Sequence, residues 1–107
     1  MVQYDIFGYG LTRWLALDRT LDGWGVGTAP HHYGAHYGNY AACHLAPAIT
    51  GFTFVEWDDV RTPGLDSAAY KISDGFVPVP RTPGFGLELD KAVFARAVQD
   101  NGGVMQV

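Results

Sequence analysis

Three short runs rich in β-branched and aromatic residues recur along the first sixty positions, and each ends in or just before a titratable side chain. Val2-Gln3-Tyr4 leads into Asp5, Val26-Gly27-Thr28-Ala29 is closed by Pro30 before His31, and Phe52-Thr53-Phe54-Val55 leads into Glu56. Residues of these types favour strands. Asp5, His31 and Glu56 are 26 and 25 residues apart, about the length of a strand plus a crossover helix. A repeat of that kind predicts parallel α/β architecture. In such folds the carboxyl ends of the strands collect the chemistry, because the loops that follow them cluster over a rigid sheet.

The segments between the runs carry helical patterns. Trp14, Leu17, Leu21 and Trp24 fall on one stripe, with Thr12 as the expected cap and Gly23 or Gly25 as the stop. Tyr37, Tyr40, Ala41, His44, Leu45 and Ala48 form a second stripe over residues 37–48, bent or ended by Pro47. His44 on that stripe reads as a hydrogen-bonded core histidine. Strands are expected at 2–7, 26–29 and 52–57, with Gly8-Tyr9-Gly10 as a loop. Period two places Phe52, Phe54 and Glu56 on one face, so the carboxylate is expected beside two buried rings.

After Asp58-Asp59 the character changes. Thr62-Pro63-Gly64 and Thr82-Pro83-Gly84 read as turns bracketing an extended, proline-bearing piece at 72–80. A short strand at 87–89, Asp90 as N-cap and a helix over 91–100 follow, with Val93, Phe94, Ala97 and Val98 facing inward. Asn101-Gly102-Gly103 stops that helix.

Composition narrows the partners. With 11 acidic and 7 basic residues, a net charge of −4 and no basic cluster, nucleic acid and anionic membranes are excluded as expected partners. No apolar run approaches a membrane span, and the start of the chain lacks a signal-peptide layout. The single cysteine, Cys43, fits a reducing cytoplasm and reads as a small buried apolar side chain.

Taken in order, Asp5, Gly10-Leu11-Thr12, Ala29-Pro30-His31, Phe54-Val55-Glu56, Asp74-Gly75-Phe76-Val77-Pro78-Val79-Pro80 and Pro83-Gly84-Phe85-Gly86 resemble the C-terminal part of the mandelate racemase subgroup of the enolase superfamily. The likeness runs through nearly the whole chain. It implies the last three βα units, strands six to eight, of a (β/α) barrel over residues 1–60. Residues 61–107 would be a C-terminal extension packing on a capping domain that lies outside this sequence.

The resemblance also implies roles. Asp5 would match the acidic residue that orients a histidine and raises its basicity. His31 would match that histidine, which moves a proton at the carbon next to a substrate carboxylate. Glu56 would match the acid that hydrogen-bonds the developing enolate. His32, one residue from His31, is expected at the substrate, and an exchange of roles within the pair stays open. The family's Mg²⁺ ligands and a second, lysine base would lie upstream of Met1. Because eight βα units need about 250 residues, this chain reads as a fragment that is inactive alone. The expected activity of the complete enzyme is that of an acid-sugar dehydratase, with a racemase or epimerase as the alternative. Expected partners are a sugar-acid or other carboxylate substrate, the N-terminal part of the same enzyme, and further copies in a homo-oligomer.

Plainer readings of the same residues stay beside these. His31, His32 and His36 are close enough in sequence to bind Zn²⁺, although no carboxylate or cysteine lies near them. The plainer alternative for Asp5 is a turn or cap residue, and for Glu56 a solvated strand end. The whole chain reads alternatively as a non-catalytic interaction module with an open sheet edge.

Overall fold

A computed structural model describes residues 1–33 and 36–101, the side chain of Asn101 excepted; the expected stop at Gly102-Gly103 lies outside the described residues. The chain divides into two compact units, Met1–Val60 and Arg61–Val107.

The first unit is laid on three extended segments paired in parallel. Single bridges join Val2 to Thr28, Asp5 to His31, and Thr28 to Phe52, so the second segment lies between the first and third. The continuous strands expected from the sequence are thus shortened to isolated bridges. One proline explains part of this. Ala29 and His31 donate their N–H groups to Val2 and Tyr4 of the first segment, whereas Thr28 donates toward the third, to Gly51. Pro30 shares the facing of Thr28 and has no N–H to give. The ladder to the third segment accordingly ends at the Thr53 N–H on the Thr28 carbonyl, and Phe54 to Asp58 continue without it.

Four helical elements surround these segments. The first segment turns at Asp5 into α1 (Ile6–Tyr9), where a loop was expected, and then into α2 (Leu11–Gly23). Gly10, at φ 86°, ends α1 and begins α2, so the predicted cap at Thr12 is replaced by a glycine hinge that few other residues could adopt. Trp14 and Leu21 of α2 are buried, but Trp24 is the C-cap and stands 71% exposed, off the stripe predicted for it. α3 (His36–Leu45) runs into a 3₁₀ turn, Ala46–Ala48, at Pro47. It buries His36, Gly38, Asn39, Tyr40, Ala41, Ala42, Cys43 and Leu45, while the predicted stripe members Tyr37 and Ala48 are exposed.

In the third segment Phe52 and Phe54 are 40% and 43% exposed, against the expectation of two buried rings. Alternation predicts which side chains share a face, and a shared face is buried only where something covers it.

The second unit pairs β1 (Leu65–Asp66) with β2 (Glu88–Leu89) antiparallel, and β1 was not foreseen. Within the piece expected to be extended, Ser73 and Phe76 exchange both backbone hydrogen bonds across Asp74-Gly75. Both turn residues have positive φ, 51° and 80°, the two-residue hairpin that Asp-Gly favours. α4 (Lys91–Asn101) starts at Asp90, whose Oδ1 accepts from the N–H groups of Ala92 and Val93 as expected of an N-cap. Its apolar residues Val93, Phe94, Ala97 and Val98, expected inward, are exposed.

Candidate active site

Asp5 is placed by two demands on one carboxylate. Oδ1 caps α1, accepting from the N–H groups of Phe7 at 2.7 Å and Gly8 at 3.2 Å. Oδ2 faces His31 Nδ1 at 3.1 Å. The cap and the charge partner, alternatives in the sequence, are both present. Burial pushes the Asp5 carboxyl up, but the N–H bonds from Gly8 and Phe7, with the hydrogen bond and charge of His31, outweigh it and hold the group below its ordinary value.

An ionised carboxylate only accepts, so Nδ1 of His31 carries the proton of the ring and the lone pair of the neutral imidazole is on Nε2. Nε2 lies 3.7 Å from Glu56 Oε2. The three side chains are each a little over one-third exposed, so the row Asp5, His31, Glu56 is open to a small molecule.

His32 goes the other way. Successive side chains of an extended segment point to opposite faces, and Thr28 and His32 face the helices. Thr28 Oγ1 donates to Asp18 of α2, and the His32 ring lies so close to Gly38 of α3 that a Cβ there would come within 2.5 Å of it. The ring is 1% exposed. Its Nε2 is 2.8 Å from the Glu56 carbonyl oxygen, its backbone N–H makes a long 3.5 Å approach to Glu56 Oε2, and its Nδ1 is 3.6 Å from Asp58 Oδ2. The expectation of His32 at the substrate therefore meets a side chain with no accessible surface in this unit.

Further residues, not singled out in the sequence, shape the site. Asp18 is 2% exposed and accepts from the N–H groups of Thr50 at 2.8 Å and Gly51 at 3.2 Å, which fixes where the third segment begins. Asn39 grips the same segment farther along, donating through Nδ2 to the Asp58 carbonyl and accepting the Asp58 N–H on Oδ1. Asp18 thus anchors the segment ahead of the ladder, and Asn39 holds it beyond the point where Pro30 interrupts the ladder. The sequence signals were polar residues within helical patterns, and periodicity assigns those to solvent.

Among the described residues no group of three or more His, Cys, Asp or Glu side chains is arranged to hold a metal ion. The three-histidine zinc site is not formed: His32 precedes α3, His36 begins it, and the His36 ring bonds the Tyr40 hydroxyl. The described donors likewise do not make a magnesium site. No described helix is long and apolar enough to cross a membrane.

The family described as enolase C-terminal domain-like matches residues 1–93. This chain belongs to that family. The chain is also similar to solved structures. A mandelate racemase/muconate lactonizing protein from Geobacillus sp. Y412MC10, complexed with magnesium and tartrate, is 43% identical over 94% of this chain, with a TM-score of 0.85. Galacturonate dehydratase from Geobacillus sp., complexed with D-galacturonate and 5-keto-4-deoxy-D-galacturonate, is 43% identical over 91% of the chain, TM-score 0.83. A mutant of that dehydratase complexed with Mg is 42% identical over 92%, TM-score 0.84. This enolase C-terminal domain-like chain spans 26% of the length of each. Comparison with curated proteins gave no match.

Proposed function

We propose that this chain forms the C-terminal part of an enolase-superfamily enzyme that removes the proton alpha to a carboxylate and eliminates water from an acid sugar. The three extended segments of the first unit would be the last three strands of its barrel, and residues 61–107 would pack on its capping domain. The observation that carries the reading is the row of Asp5, His31 and Glu56 at the ends of adjacent segments, with Nδ1 of His31 tied to a carboxylate and Nε2 left with its lone pair.

In the proposed reaction His31 Nε2 takes the α-proton, and the C–H electron pair moves into the carboxylate to give an enediolate. Asp5 holds the ring in the required tautomer and offsets the charge of the imidazolium that forms. Glu56, as a protonated carboxyl, donates to the enediolate oxygen. Collapse of the enediolate expels the β-hydroxyl, which leaves as water with the proton carried by His31, and the enol becomes a ketone. The ligands named for the galacturonate dehydratase fit this chemistry: a 4-deoxy, 5-keto product is what loss of the C5 proton and the C4 hydroxyl of galacturonate yields. Hexuronates are accordingly the first substrates to try. Magnesium would be held by residues preceding this chain.

The test is incubation of the complete protein with a panel of sugar acids in D₂O. The wild type is expected to form a deoxy-keto acid carrying deuterium, and His31→Asn to lower the rate about 1000-fold or more. Deuterium uptake with inversion and no loss of water identifies a racemase instead. Unchanged turnover by His31→Asn overturns the assignment of the base.

A further inference from the structure

The mechanism proposed above uses only one of two adjacent histidines. The other, His32, is buried, yet it is not a hydrophobic filler: it touches the acid of the site through that residue's backbone. A carbonyl oxygen only accepts, so the 2.8 Å contact to the Glu56 carbonyl requires the proton on His32 Nε2. Nδ1 is then left buried without a hydrogen-bond partner, 3.6 Å from Asp58 Oδ2. Such an orphan costs free energy that an apolar side chain in the same place would not incur.

We infer that His32 is a positioning residue for Glu56: its Nε2–H, wedged in place by Gly38, fixes the backbone of the acid at the point where the parallel ladder has ended. The inference rests on the reading of Glu56 as the acid of the site. Three observations converge on it. Pro30 lacks the N–H that would otherwise have gone toward the third segment. His32 supplies the substitute bond three residues beyond the last ladder bond, at Glu56 itself, and its backbone N–H faces the Glu56 carboxylate. α3 then clamps both sides, Gly38 against the His32 ring and Asn39 on the backbone of Asp58. The two histidines thus divide the work by strand alternation, His31 facing the open side and His32 the helices.

The test has two parts, both on the complete protein. In protein labelled with nitrogen-15 histidine, His32 is expected to show a proton on Nε2 that exchanges slowly with solvent; a neutral ring protonated on Nδ1, or an Nε2 proton that exchanges freely, overturns the proposal. In kinetics, His32→Phe is expected to lower kcat about 100-fold with little change in KM, as loss of alignment by about 1 Å does. His32→Gln, whose amide reaches the same carbonyl, is expected to recover to within about 10-fold of wild type. Wild-type kcat in His32→Phe, or a His32→Gln no better than His32→Phe, overturns it. Should the variants not fold, the nitrogen spectrum of the wild type decides. The two readings fail separately: His31→Asn at full rate removes the proposed base, whereas His31→Asn inactive beside a fully active His32→Phe removes only the positioning role.

Discussion

Asp18 accepts three hydrogen bonds from the bases of the second and third segments while almost wholly buried. Asp18→Ala leaves the donors of Thr50, Gly51 and Thr28 without that acceptor, and the expected loss is about 3 kcal/mol, read by urea denaturation. Asp5 gives a pH dependence of known sign. Its folded value is lowered, so its contribution is complete above the ordinary carboxylate value of about 3.9 and disappears as pH falls through the folded value. Acid unfolding of Asp5→Asn is therefore expected to lack that part of the transition. Cys43, 1% exposed, has its thiol pushed up to about 11 by burial. Its contribution is whole below the unfolded thiol value of about 8.5 and is lost as pH rises toward the folded one. At pH 8 iodoacetamide is expected to label Cys43 only as fast as the unit opens. Of these residues, Asp5 and Cys43 were legible in the sequence, one as the end of a strand-like run and the other as a lone apolar-type side chain. Asp18 was not, because an aspartate off the apolar stripe of a helix looks solvated until its backbone partners, more than thirty residues away, are known.

Elements obeyed local rules where the rule needed no distant partner. The Asp90 cap and α4 follow from a few consecutive residues and appear where the sequence put them. The Asp74-Gly75 hairpin obeyed an equally local rule that the prolines around it obscured. Burial was another matter. Periodicity says which side chains share a face of α4 or of the third segment, not what lies against that face, so Phe52, Phe54, Val93, Phe94 and Val98 were placed inside and are exposed. α3 shows the reverse, being covered nearly all round, with a glycine where the ring of His32 comes against the helix. Gly38→Ala puts a methyl group within 2.5 Å of a ring that has no room to retreat. The expected cost is about 1–3 kcal/mol in denaturant melts, as for other overpacked sites.

Across the whole molecule each unit presents apolar side chains to solvent: Tyr4, Phe7, Phe52 and Phe54 in the first, Phe76, Val93, Phe94 and Val98 in the second. Made alone, the 107-residue chain is expected to self-associate, and light scattering showing a monomer with a cooperative melt would contradict this. The bridge between Asp5 and His31 has a consequence of its own. One of the two bridged pairs that align the first two segments is also the pair that does the proposed proton work, so register and reactivity are tied together. If the first segment were threaded past the second by a single residue, it would keep nearly the same tally of backbone bonds and turn Asp5 to the back of the sheet. A misthreaded molecule of that kind would look sound to circular dichroism and would be chemically silent.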